Sequence, residues 1–494
     1  MARVGSISPL LDEGEGLTVD ALVAAIKGTV AGQSGFKLLT EGNEAFLALA
    51  ILAARAQRTL DLQYYIFKAD TTGSLLSAIV LRAADRGVRV RLLVDGFNLI
   101  GRDYHAAVLN MHPNVELRLF NPLAGHAGGP LRRLAGLVTE PKRANRRMHN
   151  KVFVADGKLV VLGGRNIGDQ YFGASDEVGF GDMDVLCAGP VVADICASFD
   201  GFWRNQAART LQSVGIKSRS MAEFGRFRHR ISQLRKRQRD SAFAKRIADT
   251  QLAKELTEAG LDLTWACASL IVDLPDKVAG IQREHLSPLD QLTELAKGAT
   301  RELLLVSPYF VPGERGMSLL AALRARGIKI RLISNSLAST DVVAVHAAYR
   351  GYREALLKIG VEVFELRSMP KQDGKRKELF LPSRASLHAK VYVLDQARAV
   401  IGSLNLDPRS MFLNTEIGVL IHSNALAGEI ADRFELLVSP DYCYRLCFQS
   451  GSEKMMWTGK QGEITTRFFR EPGASLWRRI GALIFRWLPI EDQL

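Results

Sequence analysis

Short apolar runs alternate with helical stretches along most of this chain, a pattern typical of an α/β fold. The runs Leu60–Phe67 and Leu303–Phe310 are rich in apolar, β-branched and aromatic residues and predict buried strands. A helical pattern follows each run and ends at an Arg-Gly pair, which predicts a helix C-terminus. The predicted helices are Leu75–Arg86 and Leu319–Arg326, and the strands after them are Val88–Val94 and Ile328–Ile333.

The same order of elements appears twice because the chain contains an internal duplication. The segment His149-Asn-Lys-Val-Phe-Val-Ala-Asp156 recurs as His388-Ala-Lys-Val-Tyr-Val-Leu-Asp395, at an offset of 388 − 149 = 239 residues. Each segment predicts a strand that turns at its aspartate into a second strand, Leu159–Leu162 or Ala399–Ile401. The chain therefore consists of two homologous halves.

We predict an α/β fold in which two homologous α/β repeats pack about a pseudo-twofold axis with the active site between them. The predicted boundaries are an N-terminal extension (1–35), a first repeat (36–212, motif 144–171), a basic linker (213–250), a second repeat (251–440, motif 383–410) and a C-terminal extension with an amphipathic helix (441–494).

The duplicated motif predicts a phosphodiester-cleaving site. Residues i and i+2 of a strand share a face, so His149 lies beside Lys151 and His388 beside Lys390. Two such strands meeting at the axis would bring two imidazoles and two ammonium groups together. One imidazole can attack phosphorus while the other protonates the leaving oxygen, and the lysines neutralise the phosphate oxygens.

Other repeated positions complete the predicted site. Asn166 and Asn405 follow their motifs at matching distances and would donate hydrogen bonds to the phosphate. A nucleophilic histidine needs a carboxylate that fixes its tautomer, and the pair Asp182 and Glu416 provides one per half. We assign to substrate binding Asn166, Ser403, Asn405, Asp182 and Glu416.

The motif aspartates Asp156 and Asp395 fall at predicted turns, where they can orient or cap, and we include them in the catalytic set. A metal ion is disfavoured here, since the lysines would repel a cation and no carboxylate cluster accompanies the histidines. We therefore predict no metal.

The charge of the chain favours an anionic partner. Its 494 residues include 65 Lys and Arg against 52 Asp and Glu, a net charge of +13. The stretch from Lys217 to Arg246 holds eleven basic and two acidic residues. We expect a solvated linker or helix there, with contact to anionic lipid as the alternative and nucleic-acid binding as a third.

Hydropathy predicts a peripheral rather than a spanning protein. The longest apolar run, Ala45–Ala54, has ten residues, whereas a membrane span needs about 20. The N-terminus lacks the apolar stretch of a signal peptide. The segment Trp477–Leu488 predicts an amphipathic helix with tryptophans on its apolar face and arginines opposite, suited to lying in a membrane interface. Docking on the protein's own core is the alternative.

These residues resemble the phospholipase D superfamily, whose signature is a duplicated HxKxxxxD with GSxN downstream. Residues 407–416 resemble the bacterial cardiolipin synthase branch, and residues 146–151, 164–172 and 335–342 resemble its C-type members. Ser403 keeps the serine of the pattern, whereas Gly164 replaces it in the first half. This difference implies unequal halves rather than lost activity.

The resemblance implies a cofactor-free phosphatidyltransferase that makes cardiolipin through a covalent phosphatidyl-histidine. Phosphatidylglycerol would be the acceptor, and the donor is left open between phosphatidylglycerol and phosphatidylethanolamine. Family precedent favours His149 as nucleophile and His388 as general acid and then base, although the symmetry of the sequence permits either assignment. The alternative is a phospholipase D-type hydrolase or a nuclease of the same superfamily.

The implied partners are phospholipid substrates and an anionic membrane surface, with a helper protein left open and nucleic acid disfavoured. The implied location is the periphery of the bacterial cytoplasmic (inner) membrane. Three weaker candidates are expected to be structural: Tyr65 and Tyr309 at strand ends, and His346 in a predicted helix over Asp341–Leu357.

Overall fold

The computed structural model describes residues 17–99, 103–123, 138–175, 179–258, 260–281, 286–368, 385–461 and 464–486. The strands in these ranges are β1 (Ser34–Leu39), β2 (Thr59–Tyr64), β3 (Arg89–Asp95), β4 (Val115–Phe120), β5 (Val152–Ala155), β6 (Leu159–Gly163), β7 (Gly179–Gly181), β8 (Asp184–Ala188), β9 (Ala208–Thr210), β10 (Thr264–Val272), β11 (Glu302–Val306), β12 (Lys329–Asn335), β13 (Glu362–Leu366), β14 (Ala385–Leu387), β15 (Val391–Leu394), β16 (Arg398–Gly402), β17 (Ile417–His422), β18 (Cys443–Phe448), β19 (Met455–Gln461) and β20 (Ile464–Phe468).

The α-helices in the same ranges are Val19–Ala24, Gly42–Arg55, Thr71–Asp85, Asp103–Leu109, Pro141–Asn145, Val191–Arg204, Met221–Gln238, Ala242–Ala248, Gln251–Glu258, Pro288–Lys297, Gly313–Ala325, Val343–Lys358, Pro408–Phe412, Asn424–Leu437 and Leu476–Arg486. Short 3₁₀ turns occupy Gly96–Leu99, Gln212–Val214 and Pro275–Ala279.

Eighteen of the described strands form one sheet that runs through both repeats. Their spatial order is β9-β4-β3-β2-β5-β6-β8-β1 in the first repeat and β10-β17-β16-β15-β11-β12-β13-β18-β19-β20 in the second. In each repeat three neighbouring strands are parallel, β2-β3-β4 and β11-β12-β13, as helical crossovers require. The mirrored order confirms the predicted duplication and fold class.

The two repeats join at the centre of this sheet. Strands β1 and β10 are antiparallel, with Ser34 opposite Ala266 and Phe36 opposite Thr264. On its other side β1 pairs with β8 of the first repeat, and β10 pairs with β17 of the second. Main-chain hydrogen bonds therefore connect the halves directly.

The predicted elements exist, with shifted ends. The helix before the first Arg-Gly pair begins at Thr71 rather than Leu75, because the Asp70 side chain accepts a hydrogen bond from Gly73 N and caps it. Both Arg-Gly helix ends are confirmed, since Gly87 and Gly327 have φ values of 95° and 84° that favour glycine.

The longest apolar run of the sequence forms a core helix. In Gly42–Arg55, ten consecutive residues from Glu44 to Ala53 are buried. The helix packs against Thr71–Asp85, and Phe46 makes edge-to-face contacts with Phe172 and Phe243. Most of its circumference therefore contacts protein, which explains why nearly every position is apolar.

The basic segment of the chain is mostly helical and packs on the first repeat. Its main helix, Met221–Gln238 (the basic helix), opens with a capping box formed by Ser220 and Glu223. Phe224, Phe227 and Ile231 are buried in the core of that repeat. The predicted linker therefore includes a helix with one buried face, and most of its basic side chains are exposed.

The C-terminal helix Leu476–Arg486 packs on the helix Val343–Lys358 with an unexpected orientation. Arg478 faces the protein and donates to the carbonyl oxygens of Leu337 and Thr340 at 3.0 and 2.7 Å. The small residue Ala482 is buried, whereas Trp477 is 81% exposed. Other exposed apolar residues of the helix are Leu476, Ile480, Leu483 and Ile484. The predicted positions Trp487 and Leu488 lie outside the described residues.

His346 lies in the buried face of the helix Val343–Lys358, as expected for a structural residue. Its Nε2 is 2.9 Å from the Arg353 guanidinium, which also forms an ion pair with Glu471 at 2.6 Å.

In the described parts of the chain, no helix is both long enough and apolar enough to cross a bilayer.

Candidate active site

Each motif histidine is held by the main chain of the opposite repeat. His149 N donates to the carbonyl of Thr415 at 2.9 Å, and His388 N donates to the carbonyl of Gly181 at 2.7 Å. The His-x-Lys part of each motif precedes its strand, β5 or β15, whereas the sequence predicted that it would lie within the strand. The histidines therefore lie where the two repeats meet.

The side chains of the two histidines also bond to the opposite repeat. His149 Nδ1 lies 2.9 Å from Glu416 Oε2, and His388 Nδ1 lies 2.5 Å from Asp182 Oδ2. Both carboxylates are fully buried. The Nδ1 atoms are used for orientation, so Nε2 is the nitrogen that can react with phosphorus. The structure thus brings Asp182 and Glu416 to the histidines, each to the one in the other repeat.

The motif lysines are buried beside their histidines. Lys390 Nζ lies 2.9 Å from His388 Nδ1 and also donates to the His388 carbonyl. Lys151 Nζ donates to the His149 carbonyl at 2.5 Å and lies 5.7 Å from the ring centroid of Tyr65. Burial lowers the pKa of both ammonium groups, while Glu416 and Asp182 favour their charged forms.

The surroundings lower the pKa of both imidazoles. Burial lowers the pKa of His149 well below its ordinary value, and repulsion from Lys151, Lys390 and His388 acts in the same direction. Burial, and then repulsion from Lys390, also lower the pKa of His388, although attraction to Asp182 acts to raise it. A neutral imidazole is the form that can attack phosphorus. Lys390 and His388 belong to the second motif and still act on the pKa of His149, so the two motifs lie close together.

The two carboxylates differ electrostatically. Burial acts to raise the pKa of Asp182, but attraction to His388, Lys390 and Arg165 outweighs it and holds the pKa below the ordinary range. Burial raises the pKa of Glu416, which Lys151 only partly offsets. Asp182 is therefore the more firmly ionised partner, so the site is not electrostatically symmetric.

The departure at Gly164 has a steric explanation. A Cβ atom at this position would lie 2.3 Å from Asp182 Oδ1, so no side chain fits there. In the second repeat Ser403 Oγ donates to Glu416 Oε2 at 2.5 Å, and Ser410 Oγ donates to Oε1 at 2.9 Å. The longer glutamate is positioned by two hydroxyls, whereas the shorter aspartate occupies the space that the serine would need.

The two asparagines are buried near the site but do not have matching partners. Asn166 Oδ1 accepts from Ile66 N at 3.0 Å, and its Nδ2 donates to Tyr171 Oη at 3.0 Å. Asn405 Oδ1 is buried without a hydrogen-bond partner among the described residues. Asn166 therefore holds the loop after β2, while the amide of Asn405 is the one that can still rearrange for a ligand.

The motif aspartates, which we include in the predicted catalytic set, bind main-chain N–H groups at their turns. Asp156 accepts hydrogen bonds from the main-chain N–H groups of Gln57, Arg58 and Thr59 at 2.7–2.9 Å. Asp395 binds residues 300–302 in the same way. Each aspartate follows a four-residue strand that separates it from the motif lysine by roughly 13 Å or more. They secure strand connections and do not contact the reacting groups.

Sequence reasoning missed a pair that holds the residue before each histidine. Asp95 Oδ2 accepts from Met148 N at 2.9 Å, and Asn335 exchanges two 2.9 Å hydrogen bonds with the main chain of Leu387. Asp95 and Asn335 stand at equivalent strand ends, since 335 − 95 = 240 matches the upstream offset of the repeat. That offset was the signal that could have identified them.

Aromatic rings line the surroundings of the histidines. The ring centroid of Tyr65 lies 5.1 Å from that of His149, and Tyr171 and Phe180 lie 5.3 and 5.2 Å from His388. Tyr65 therefore borders the site rather than only filling a strand end. Tyr309 instead donates to Asp341 Oδ2 at 2.8 Å and orders the loop before the helix Val343–Lys358.

Comparisons with known proteins agree with this geometry. The family model described as cardiolipin synthase, PLD-like domain, matches residues 49–203 and 292–438. Cardiolipin synthase C of Escherichia coli strain K12 is 37% identical over 466 residues, covering 93% of this chain and 96% of the relative. Cardiolipin synthase B of the same strain is 26% identical, covering 88% and 87%.

The fold also matches a solved structure. The phosphatidylserine synthase of Haemophilus influenzae Rd KW20 superimposes with a TM-score of 0.59 at 14% identity, covering 93% of this chain and 95% of that one. The matched family model, the duplicated motif and the long match to a cardiolipin synthase together assign the chain. It belongs to the phospholipase D superfamily, in its bacterial cardiolipin synthase family.

Proposed function

We propose that this protein is a phosphatidyltransferase that makes cardiolipin through a covalent phosphohistidine intermediate. The observation that carries the proposal is the crossed pair of buried imidazoles, each bonded through Nδ1 to a carboxylate of the other repeat. This arrangement leaves both Nε2 atoms for one substrate, and Lys151 and Lys390 contact the motif histidines from within the same buried site. Transfer of a phosphodiester needs two such groups, one to attack and one to carry the proton.

The reaction has two steps, and the proton moves in opposite directions in them. In the first, Nε2 of one histidine forms a bond to phosphorus, and the phosphorus–oxygen bond to the donor headgroup breaks as the other, protonated histidine gives that oxygen a proton. In the second, the neutral partner takes the proton of the primary hydroxyl of phosphatidylglycerol. That oxygen then bonds to phosphorus and the phosphorus–nitrogen bond breaks, which restores both histidines.

The electrostatic difference between the carboxylates supports His149 as the nucleophile. The firmly ionised Asp182 stabilises an imidazolium at His388, the form that donates a proton. His149 faces Glu416, whose pKa is raised, and is kept neutral. The anionic phosphate of a bound lipid would further favour protonation of His388.

The position of the C-terminal helix supports a lipid rather than a nucleic acid as substrate. Arg478 fastens the helix to Thr340, next to Asp341, which accepts from Tyr309 and acts on the charge of His388. The exposed apolar face of this helix thus lies beside the loop that borders the site. Such a face favours a membrane interface, where tryptophan is enriched. A peripheral place on the cytoplasmic membrane belongs to this proposal, and a helper protein is left open.

The proposal is tested by product analysis. Purified protein is incubated with phosphatidylglycerol vesicles, with and without phosphatidylethanolamine, and the lipids are identified by mass spectrometry. Cardiolipin as the main product supports the transferase, and dependence on phosphatidylethanolamine identifies the donor. Phosphatidic acid as the only product would identify the hydrolase instead. His149→Ala and His388→Ala should each abolish turnover, and near-normal activity of either would refute the two-histidine mechanism.

A further inference from the structure

A cavity of about 810 Å³ lies in the first repeat between the sheet and the basic helix. Leu92 of β3 and Leu117 of β4 form its floor, and Ala106 lines it from the helix Asp103–Leu109. Phe227 and Leu234 contribute from the basic helix. The volume falls within the roughly 300–1,000 Å³ of small-molecule sites, and the walls are mostly apolar, as in such sites.

Tyr65 connects one end of this cavity to the active site. Ile66 and Phe67, which follow Tyr65 in the chain, line that end. Asn98 lines it too and donates to the Tyr65 carbonyl at 3.0 Å. The ring of Tyr65 in turn contacts His149, at 5.1 Å between centroids.

The charged residues of the cavity are all basic. Lys68, Arg230 and Arg237 line it, and the described lining includes no acidic residue. Lys68 stands at the catalytic end, next to Phe67. His105 is half-buried in the wall, and desolvation followed by repulsion from Arg230 lowers its pKa to about 4, so it is neutral at pH 7. Apolar walls with positive groups at the margins suit a hydrocarbon chain attached to an anion.

We propose that this cavity holds one acyl chain of an anionic glycerophospholipid whose phosphate lies at the motif histidines. This inference rests on the proposed function, because it takes the reacting phosphate to be that of a lipid. A second cavity, at a different position in the second repeat beside Phe310 and Leu406, measures about 320 Å³. The cavity in the first repeat therefore offers the larger space for a long chain.

The first test fills the cavity. Leu234→Trp places a larger side chain in it, and Ser232→Trp, on the exposed side of the same helix, is the matched control. Consumption of dioleoyl and dioctanoyl phosphatidylglycerol is measured in identical detergent micelles, counting every product. Each methylene kept out of an apolar site lowers affinity roughly fourfold.

Leu234→Trp should lower the rate on the dioleoyl lipid at least ~fivefold and leave the dioctanoyl rate within about twofold, since only long chains reach the filled part. Ser232→Trp should change neither rate. Equal effects on both lipids, or none, would overturn the proposal. If Leu234→Trp fails to fold by circular dichroism, Ala106→Val serves as a smaller filler with the same expected preference.

The second test needs no turnover, so it separates this proposal from the reaction itself. Wild-type protein is irradiated with phosphatidylglycerol that carries a diazirine at the end of one acyl chain, and labelled peptides are mapped by mass spectrometry. Label in residues 104–109 or 227–234 supports the cavity. Label confined to the C-terminal helix or to the second repeat would overturn it, whatever lipid product the enzyme makes.

Discussion

Asp182 in the first repeat lies 2.5 Å from Nδ1 of His388 in the second, and the reciprocal contact joins Glu416 to His149 at 2.9 Å. Among the described residues, each motif histidine is therefore bonded through Nδ1 to a carboxylate of the other repeat and not to one of its own. The duplication in the sequence thus gives one site made of exchanged parts.

Loss of the Asp182 carboxylate should lower kcat without unfolding the protein. Asp182→Asn keeps the shape but removes the charge that stabilises protonated His388, so we expect kcat to fall about 10²–10⁴-fold with a smaller change in KM. Asp85→Asn, which removes an exposed ion pair with Arg228, is the control. A kcat within threefold of wild type would exclude a positioning role for Asp182.

Restoring the family serine at Gly164 should damage the enzyme. The new Cβ would lie 2.3 Å from Asp182 Oδ1 and displace that carboxylate from His388. We expect Gly164→Ser to lose about 1–3 kcal/mol of unfolding free energy and most activity. Urea unfolding and steady-state rates measure both, and Ser403→Gly is the comparison. An unimpaired Gly164→Ser enzyme would contradict the steric account.

Asp407 should make stability depend on pH. Burial raises its pKa to about 7, against a value near 3.9 in the unfolded chain. The folded state therefore binds the extra proton between these values, and stability falls as pH rises from 5.5 to 8, by about 2 kcal/mol from this group. The Asp407→Asn variant has no titrating carboxyl group at this position, so it lacks this pH-dependent contribution to stability.

The difference in unfolding free energy between wild type and Asp407→Asn should therefore shift in favour of the variant by that amount between pH 5.5 and 8. Urea titrations at both pH values measure it. An unchanged difference would show that Asp407 titrates alike in both states.

Activity should survive chelation. Lys151 and Lys390 are buried at the site and supply the positive charge that a metal would otherwise provide. Dialysis against EDTA should leave the rate within about threefold, far from the loss of several kcal/mol of transition-state stabilisation that removal of a catalytic metal causes. Complete loss that only a divalent cation restores would refute this.

The exposed face of the C-terminal helix should control membrane binding. Trp477→Glu with Ile484→Glu removes apolar contacts worth roughly 1.5–3 kcal/mol each and should reduce sedimentation with anionic vesicles at least tenfold. Because both side chains are exposed, thermal unfolding should change little. Met221→Glu, also at an exposed apolar residue, is the control.

Truncation after Pro472 should also release the protein from vesicles. If the truncated chain instead unfolds much earlier while vesicle binding is unchanged, the helix is only core packing.

The internal duplication was enough to predict the two α/β units, the paired histidines and lysines, and the carboxylates Asp182 and Glu416. It could not show that the carboxylates are exchanged, because an offset relates equivalent residues without showing which of them touch. Motif membership alone placed Asp156 and Asp395 in the catalytic set, and it could not show that their carboxylates bind main-chain N–H groups.

The orientation of the C-terminal helix was also beyond the sequence pattern. Its periodicity gave the two faces but not which one packs on the protein. The hydrogen bonds from Arg478 to Leu337 and Thr340 decide that question, and they depend on carbonyl groups about 140 residues away in the chain.

The pairing of β1 with β10 has a mechanical consequence for how substrates reach the histidines. A jaw-like opening of the two halves would have to break main-chain hydrogen bonds in the middle of a continuous sheet, each contributing about 0.5–1.5 kcal/mol, together with the exchanged contacts at the site. The pairing therefore opposes separation of the two halves. We expect lipids to enter and leave by movement of the side chains and loops that border the site, while the two repeats stay joined.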